Sequence, residues 1–228
     1  MTGFTYRRLR RQRTHRLIPS RFPPIGIFDL GLTPEEAAAA FELEAATNER
    51  LTDLRGRLNL IGPGDLAAGN GAGFAMAAFL HGGPGRFNDA ALGAWYAGLD
   101  SATAIAEVAF HHHLRLSRSA AGFPAVAEMR ELVSRVTAEV VDFFAGSAAE
   151  RLRLLDPDPA TYPEGQDFAR ALRQDGESGL LYPSVRRDSG TCLVLWRPRL
   201  CLPITQGAHF RLAWNAEGRL DVNRLSSA

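Results

Sequence analysis

The chain has 228 residues, 46% of them hydrophobic and 22% charged, and its 26 Lys+Arg against 25 Asp+Glu leave a formal net charge of +1. These values fit one large domain, or a domain with an extension, and exclude wholesale disorder and the strong basic excess of a dedicated nucleic-acid binder. Every basic residue is arginine, so a phosphate-loop lysine, a Schiff-base lysine and a lysine general base are all excluded.

Residues 1–16 hold arginines at 7, 8, 10, 11, 13 and 16. The composition predicts a solvated, partly disordered Arg-rich arm over 1–14, with contact to an acidic partner as the alternative. No apolar run follows those arginines and no stretch approaches 18 apolar residues, so neither a secretory signal nor a membrane span is expected. The expected setting is cytoplasmic. Residues 15–228 read as a single domain, helical over 33–80, with the chemistry carried by 81–215.

RLIPSRFPPIGIF predicts a short strand running into an extended, proline-broken segment. Thr33, Pro34 and Glu36 then stand as N-cap, first-turn proline and capping-box acid, so a helix follows through 37–46 and on to about Arg55. The glycine-rich run over 62–73 misses the dinucleotide fingerprint, because Phe74 stands where a glycine is needed, and reads as a flexible loop. Residues 75–80 fit a short helix or a strand.

Residues 94–98 have strand character, and Asp100 or Ser101 caps a helix from Ala102 to about His112. On that helix Thr103, Glu107 and His111 recur every fourth position and share one face, in otherwise apolar surroundings. A carboxylate there is costly to bury unless something pairs with it. Residues 128–144 carry an amphipathic pattern that reads as a helix, or a helix followed by a strand. DPDPATYP is a loop, Gln166–Arg173 a short helix ending near Gly176, and LLYPSV, TCLVLWRP and AHFRLAW read as strands.

Several motifs lose to plainer explanations. Cys192 and Cys201 lack CxxC spacing and are expected as buried thiols. The adjacent histidines 111–113 point to different helix faces, so no metal site is expected. Ser184 sits in YPSVR, not in a nucleophile elbow. Glu35, Glu36, Glu42 and Glu44 fit a helix surface and its first-turn dipole.

What remains is Arg86 in GRFND, Tyr96 and Glu107 in WYAGLDSATAIAEVAFH, and Ser184 in GLLYPSVRRDSGTCLVLWRPRL, followed by QGAHFRLAW. This order, together with the opening HRLIPSRFPPIGIF, resembles the RES domain family over most of residues 15–215. The resemblance implies an α+β fold, a mixed β-core flanked by helices and similar to ADP-ribosyltransferases. It also implies a toxin that cleaves NAD at the nicotinamide–ribose bond, by glycohydrolysis or phosphorolysis. The partner implied is an Xre-type helix-turn-helix antitoxin, with a homodimer inside a larger complex and no direct contact to nucleic acid or membrane. NAD is then substrate, inorganic phosphate a possible co-substrate, and no cofactor or metal is needed. The family's first-strand arginine maps to Arg16, or less well to Arg7. Gln166 in YPEGQ matches the family's glutamine-bearing helix, where the serine before it is missing.

The chemistry suits these residue types. Nicotinamide leaves as a neutral group from a cationic bond, so the protein has to stabilise positive charge on the ribose and hold the diphosphate. Glu107 fits the first task and Arg86 the second, with Arg16 as a further diphosphate contact. Tyr96 packs against nicotinamide or ribose, and Ser184 orients Glu107 or a ribose hydroxyl. Arg186 with Arg187 offers a niche for phosphate. The alternatives are transfer of ADP-ribose to a macromolecule, or a non-catalytic partner of a repressor.

Overall fold

The structure, a computed structural model, describes residues 4–226, without the side chains of residues 47 and 49–53. In chain order the elements are β1 (Tyr6–Pro19), α1 (Pro34–Thr47), α2 (Glu49–Leu58), α3 (Ala72–Leu80), β2 (Trp95–Gly98) and α4 (Ser101–Ser117). They continue with β3 (Ala125–Asp142), α5 (Ala148–Leu154), α6 (Tyr162–Gln174), β4 (Gly179–Pro183), β5 (Thr191–Leu195), β6 (Ile204–Trp214) and β7 (Leu220–Leu225). The expected α+β class is what the chain adopts.

From residue 4 onward the Arg-rich stretch is not an arm, and residues 1–3 lie outside the described residues. Residues 6–19 form β1, which pairs antiparallel with β3 from Tyr6 opposite Val141 to Pro19 opposite Met129. Leu9 and Thr14 are buried while Arg8, Arg10 and Arg13 face solvent, so the arginines decorate the outer side of a strand whose inner side joins the core. A bulge between Leu9 and Gln12, with Arg11 at φ 52°, shifts the phase of that alternation and hides it from a pattern reading.

Residues 128–144 are likewise strand, not helix: they lie in β3, an 18-residue strand whose Leu132, Val136 and Val140 are buried on one face. Spacing of four satisfies a strand period of two as well as a helical one, and β-branched valines tip the balance toward strand. The capping box at Thr33 and Glu36 is present, with Pro34 in the first turn. The helix does not run on, because Asn48 leaves helical geometry and α2 starts afresh at Glu49. Residues 75–80 are helical within α3, which is almost wholly buried. Its entry needs Gly71, at φ 83°, where a Cβ would lie 2.6 Å from the Ile204 carbonyl.

The sheet order is β1-β2-β5-β4-β3-β6-β7, and the additional β1–β3 pairing closes the first five strands into a ring. Strand alternation divides the side chains. Trp95, Ala97, Leu193 and Leu195 enter the largest core with Phe28, Phe41 and α3. Tyr96, Cys192, Val194 and Tyr182 face the other way, toward α6 and the residue 154–155 turn. A third cluster packs Ala104 and Ala109 of α4 against Leu17, Met129 and Trp214. Burying each large apolar side chain contributes about 1.5–3 kcal/mol. The site forms where α4 crosses the Tyr96 face.

Candidate functional site

α4 begins at Asp100, whose carboxylate accepts from the Thr103 amide (2.8 Å) and the Thr103 hydroxyl (3.0 Å). The cap fixes the helix phase, so Ala104, Glu107, Val108 and His111 face a cavity of about 480 Å³. Gly98 is required at its root, because a Cβ there would lie 2.8 Å from the Ala104 amide nitrogen. Gly85, Arg86, Tyr96, Tyr162, Tyr182 and Cys192 complete the opposing wall.

Glu107 is half-buried, and its Oε1 accepts from the Ser184 hydroxyl at 2.6 Å and lies 3.4 Å from the Cys192 thiol. Oε2 has no protein donor among the described residues. Ser184 is held in turn, since its Oγ accepts from the Arg186 and Arg187 amides, both at 3.1 Å. The Ser184 hydroxyl therefore has its proton directed at the carboxylate. Burial, and then the nearby carboxylate, push the Cys192 thiol well above its ordinary range, so it stays protonated and donates.

Arg86 is buried, 6% exposed, yet lies in the cavity wall. Its Nη1 donates to the carbonyls of Leu154 (3.0 Å) and Asp156 (2.7 Å), and its guanidinium sits 4.7 Å from the Tyr162 ring. Nε and Nη2 have no protein acceptor among the described residues. Tyr96 locks the loop that carries Arg86: its hydroxyl accepts from the Phe87 amide (2.8 Å) and donates to Asn88 Oδ1 (2.9 Å). Burial pushes that hydroxyl's ionisation far upward, so it remains a neutral anchor. Gln166 braces the same loop through its Nε2, which donates to the Gly85 carbonyl at 2.9 Å.

Arg86, Tyr96 and Glu107 thus meet at one cavity, with Ser184 behind Glu107. Arg16 reaches the wall, but its guanidinium lies across the sheet, 5.0 Å from the Trp95 ring, and donates to the Tyr96 carbonyl at 3.0 Å. Arg186 is not in the wall. It covers Phe110, 3.3 Å from the ring centroid, and donates to the Pro157 carbonyl. Arg187 bonds Asp100 and Thr103. Among the described residues no cluster of histidine, cysteine or carboxylate groups suited to a metal occurs, and no helix is long and apolar enough to cross a membrane. The sequence reading missed His15, Tyr162 and Tyr182 in the wall. His15 had a detectable signal, since it occupies the other phase of the strand that carries Arg16.

The RES domain family model matches residues 66–215. The Sinorhizobium fredii (strain NBRC 101917 / NGR234) protein y4oC, described as uncharacterized, is 30% identical over 207 residues, covering 88% of this chain and 82% of that protein. A crystal structure of the M. tuberculosis MbcT-MbcA toxin-antitoxin complex aligns over 58% of this chain and 73% of its own, at 13% identity and a TM-score of 0.35, a likeness too slight to carry an argument.

Proposed function

The chain belongs to the RES domain family, and from that premise we propose that it is a toxin that depletes NAD by cleaving the nicotinamide–ribose bond. Its neutralising partner in this reading is an Xre-type antitoxin, its working form a homodimer within a larger complex, and its setting the cytoplasm. The ring of two long and three short strands, flanked by helices, is read as an ADP-ribosyltransferase-like core.

The observation that carries the proposal is the Glu107 carboxylate, held on one oxygen by Ser184 at 2.6 Å and open on the other, in a cavity shared with Arg86. An oriented carboxylate in a partly desolvated cavity stabilises positive charge as it grows on the ribose ring. With Oε1 taken by Ser184 and Cys192, Oε2 is left to accept from a ribose hydroxyl. Arg86 has one edge tied to carbonyls and the other free for diphosphate oxygens, and Tyr162 covers its face. Arg186 and Arg187 are engaged elsewhere, which favours water over phosphate as the acceptor.

The test is release of nicotinamide from NAD by the antitoxin-free protein, followed by chromatography, beside Glu107→Gln. We expect nicotinamide and free ADP-ribose from the wild type and none above background from the variant. A Glu107→Gln protein that consumes NAD at the wild-type rate ends this reading. Phosphorus NMR separates ADP-ribose from its 1″-phosphate, and label retained on protein identifies a transferase instead.

A further inference from the structure

Strand alternation turns the Arg16 guanidinium away from the cavity and turns its neighbour His15 toward it, on the same face as Leu17. His15 is buried, 8% exposed, and its Nδ1 lies 2.7 Å from Oε1 of Glu131, itself only 6% exposed. Glu131 stands in β3, between Leu132, which faces the main core, and Arg130. A buried carboxylate in a strand is costly, and such a pair adds little to stability by itself.

The fold is locally rearranged to hold this carboxylate. The β3–β6 ladder pairs Arg130 with His209 and Leu132 with Gln206, so Gly207 and Ala208 of β6 both oppose the single residue Glu131. That bulge aims the Ala208 amide at Glu131 Oε2, 3.2 Å away. Glycine at 207 leaves room for that oxygen, since a Cβ there would lie 2.4 Å from Glu131 Oε2 and push the carboxylate from its place. Glu131 therefore has both oxygens engaged, one by an amide and one by the imidazole. His15 Nε2 has no partner among the described residues, although the residue forms part of the cavity wall.

We infer that His15, oriented by Glu131, is the base that activates the acceptor water in this cavity. The inference rests on the NAD-cleavage reading and adds to it the acceptor side of the reaction. With Nδ1–H donated to Glu131, Nε2 carries the lone pair. As the bond from ribose C1′ to the nicotinamide nitrogen breaks, its electron pair goes to nicotinamide. The water oxygen forms the new bond to C1′, and its proton passes to Nε2 and then to solvent. Glu131 is a positioning residue, since it acts through the imidazole and touches no substrate.

The experiment compares NAD turnover by wild type, His15→Ala and Glu131→Gln, with and without added imidazole, and records the ¹⁵N spectrum of the His15 ring. We expect His15→Ala to lose about 10²-fold or more of its turnover and to regain a measurable part of it with free imidazole. A merely structural histidine would not be replaced by a small molecule in solution. In Glu131→Gln the ¹⁵N spectrum should lose the fixed Nδ1–H tautomer, while kcat falls more than KM changes. A folded His15→Ala protein that keeps wild-type turnover, or one whose loss imidazole leaves untouched, overturns the inference and leaves the NAD reading standing. A wild-type protein that does not consume NAD removes both.

Discussion

The Ser184 hydroxyl donates to Glu107 Oε1 over 2.6 Å, joining a loop after β4 to the middle of α4 across 77 positions of sequence. Neither residue reaches this arrangement alone. The Asp100 cap sets the angle of α4, and the Arg186 and Arg187 amides orient the serine proton toward the carboxylate.

Ser184→Ala removes the stronger of the two donors to Oε1 and strips two amides of their acceptor. A hydrogen bond to a charged group is worth about 1.5–3 kcal/mol, so NAD turnover should fall about tenfold to a hundredfold. The loss should appear in kcat more than in KM, because Ser184 does not line the cavity. Steady-state kinetics of the two proteins check this; unchanged kcat would show that the serine does not tune the acid.

Gly85→Ala should cut activity although it neither adds nor removes a charge. A Cβ at 85 would lie 2.7 Å from Asn88 Oδ1 and 2.8 Å from the Tyr96 hydroxyl, inside the bond that locks the Arg86 loop. Overpacking of this kind costs about 1–3 kcal/mol. We expect a lower midpoint in urea and a raised KM for NAD, the latter because Arg86 is displaced. A variant with wild-type KM would mean that the Tyr96–Asn88 bond does not govern the arginine.

Stability should fall with acid before the carboxylates titrate. Burial, followed by the charge of Arg115, lowers the His112 pKa from an ordinary 6.5 to about 4. Its ring stacks on Trp214, and its Nδ1 accepts from the Arg115 guanidinium, which needs the neutral form. Between those two values the unfolded chain binds more protons than the folded one, so stability is fully present above about 6.5 and is lost as pH falls toward about 4. His112→Phe keeps the stack and should flatten this part of the profile of melting temperature against pH. An identical slope in both proteins would exclude His112 as its source.

Local rules read well where neighbours decide the outcome. Thr33, Pro34 and Glu36 announce α1 within four residues, and Asp100 announces α4, because a cap is a contact between positions three apart. They read poorly where a distant strand decides. The arginines of β1 resemble a solvated arm until β3 pairs with them along their whole length. The spacing of Leu132, Val136 and Val140 suits a helix until three partners, β1, β6 and, at its end, β4, take up the hydrogen bonds of β3. The resemblance puts an arginine at position 16, and only the strand's phase shows that its guanidinium lies against Trp95 while His15 takes the other face.

The sequence alone singled out Arg86, Tyr96, Glu107 and Ser184 as candidates, because each sits in a short local motif and the four follow one another in the order that resembles the RES family. The meeting of Arg86 and Glu107 at one cavity, the turning of His15 rather than Arg16 toward it, and the seating of Glu131 in a bulge were decided by tertiary structure. They depend on which strands pair and in what register, and a shift of one residue reverses every side chain's face.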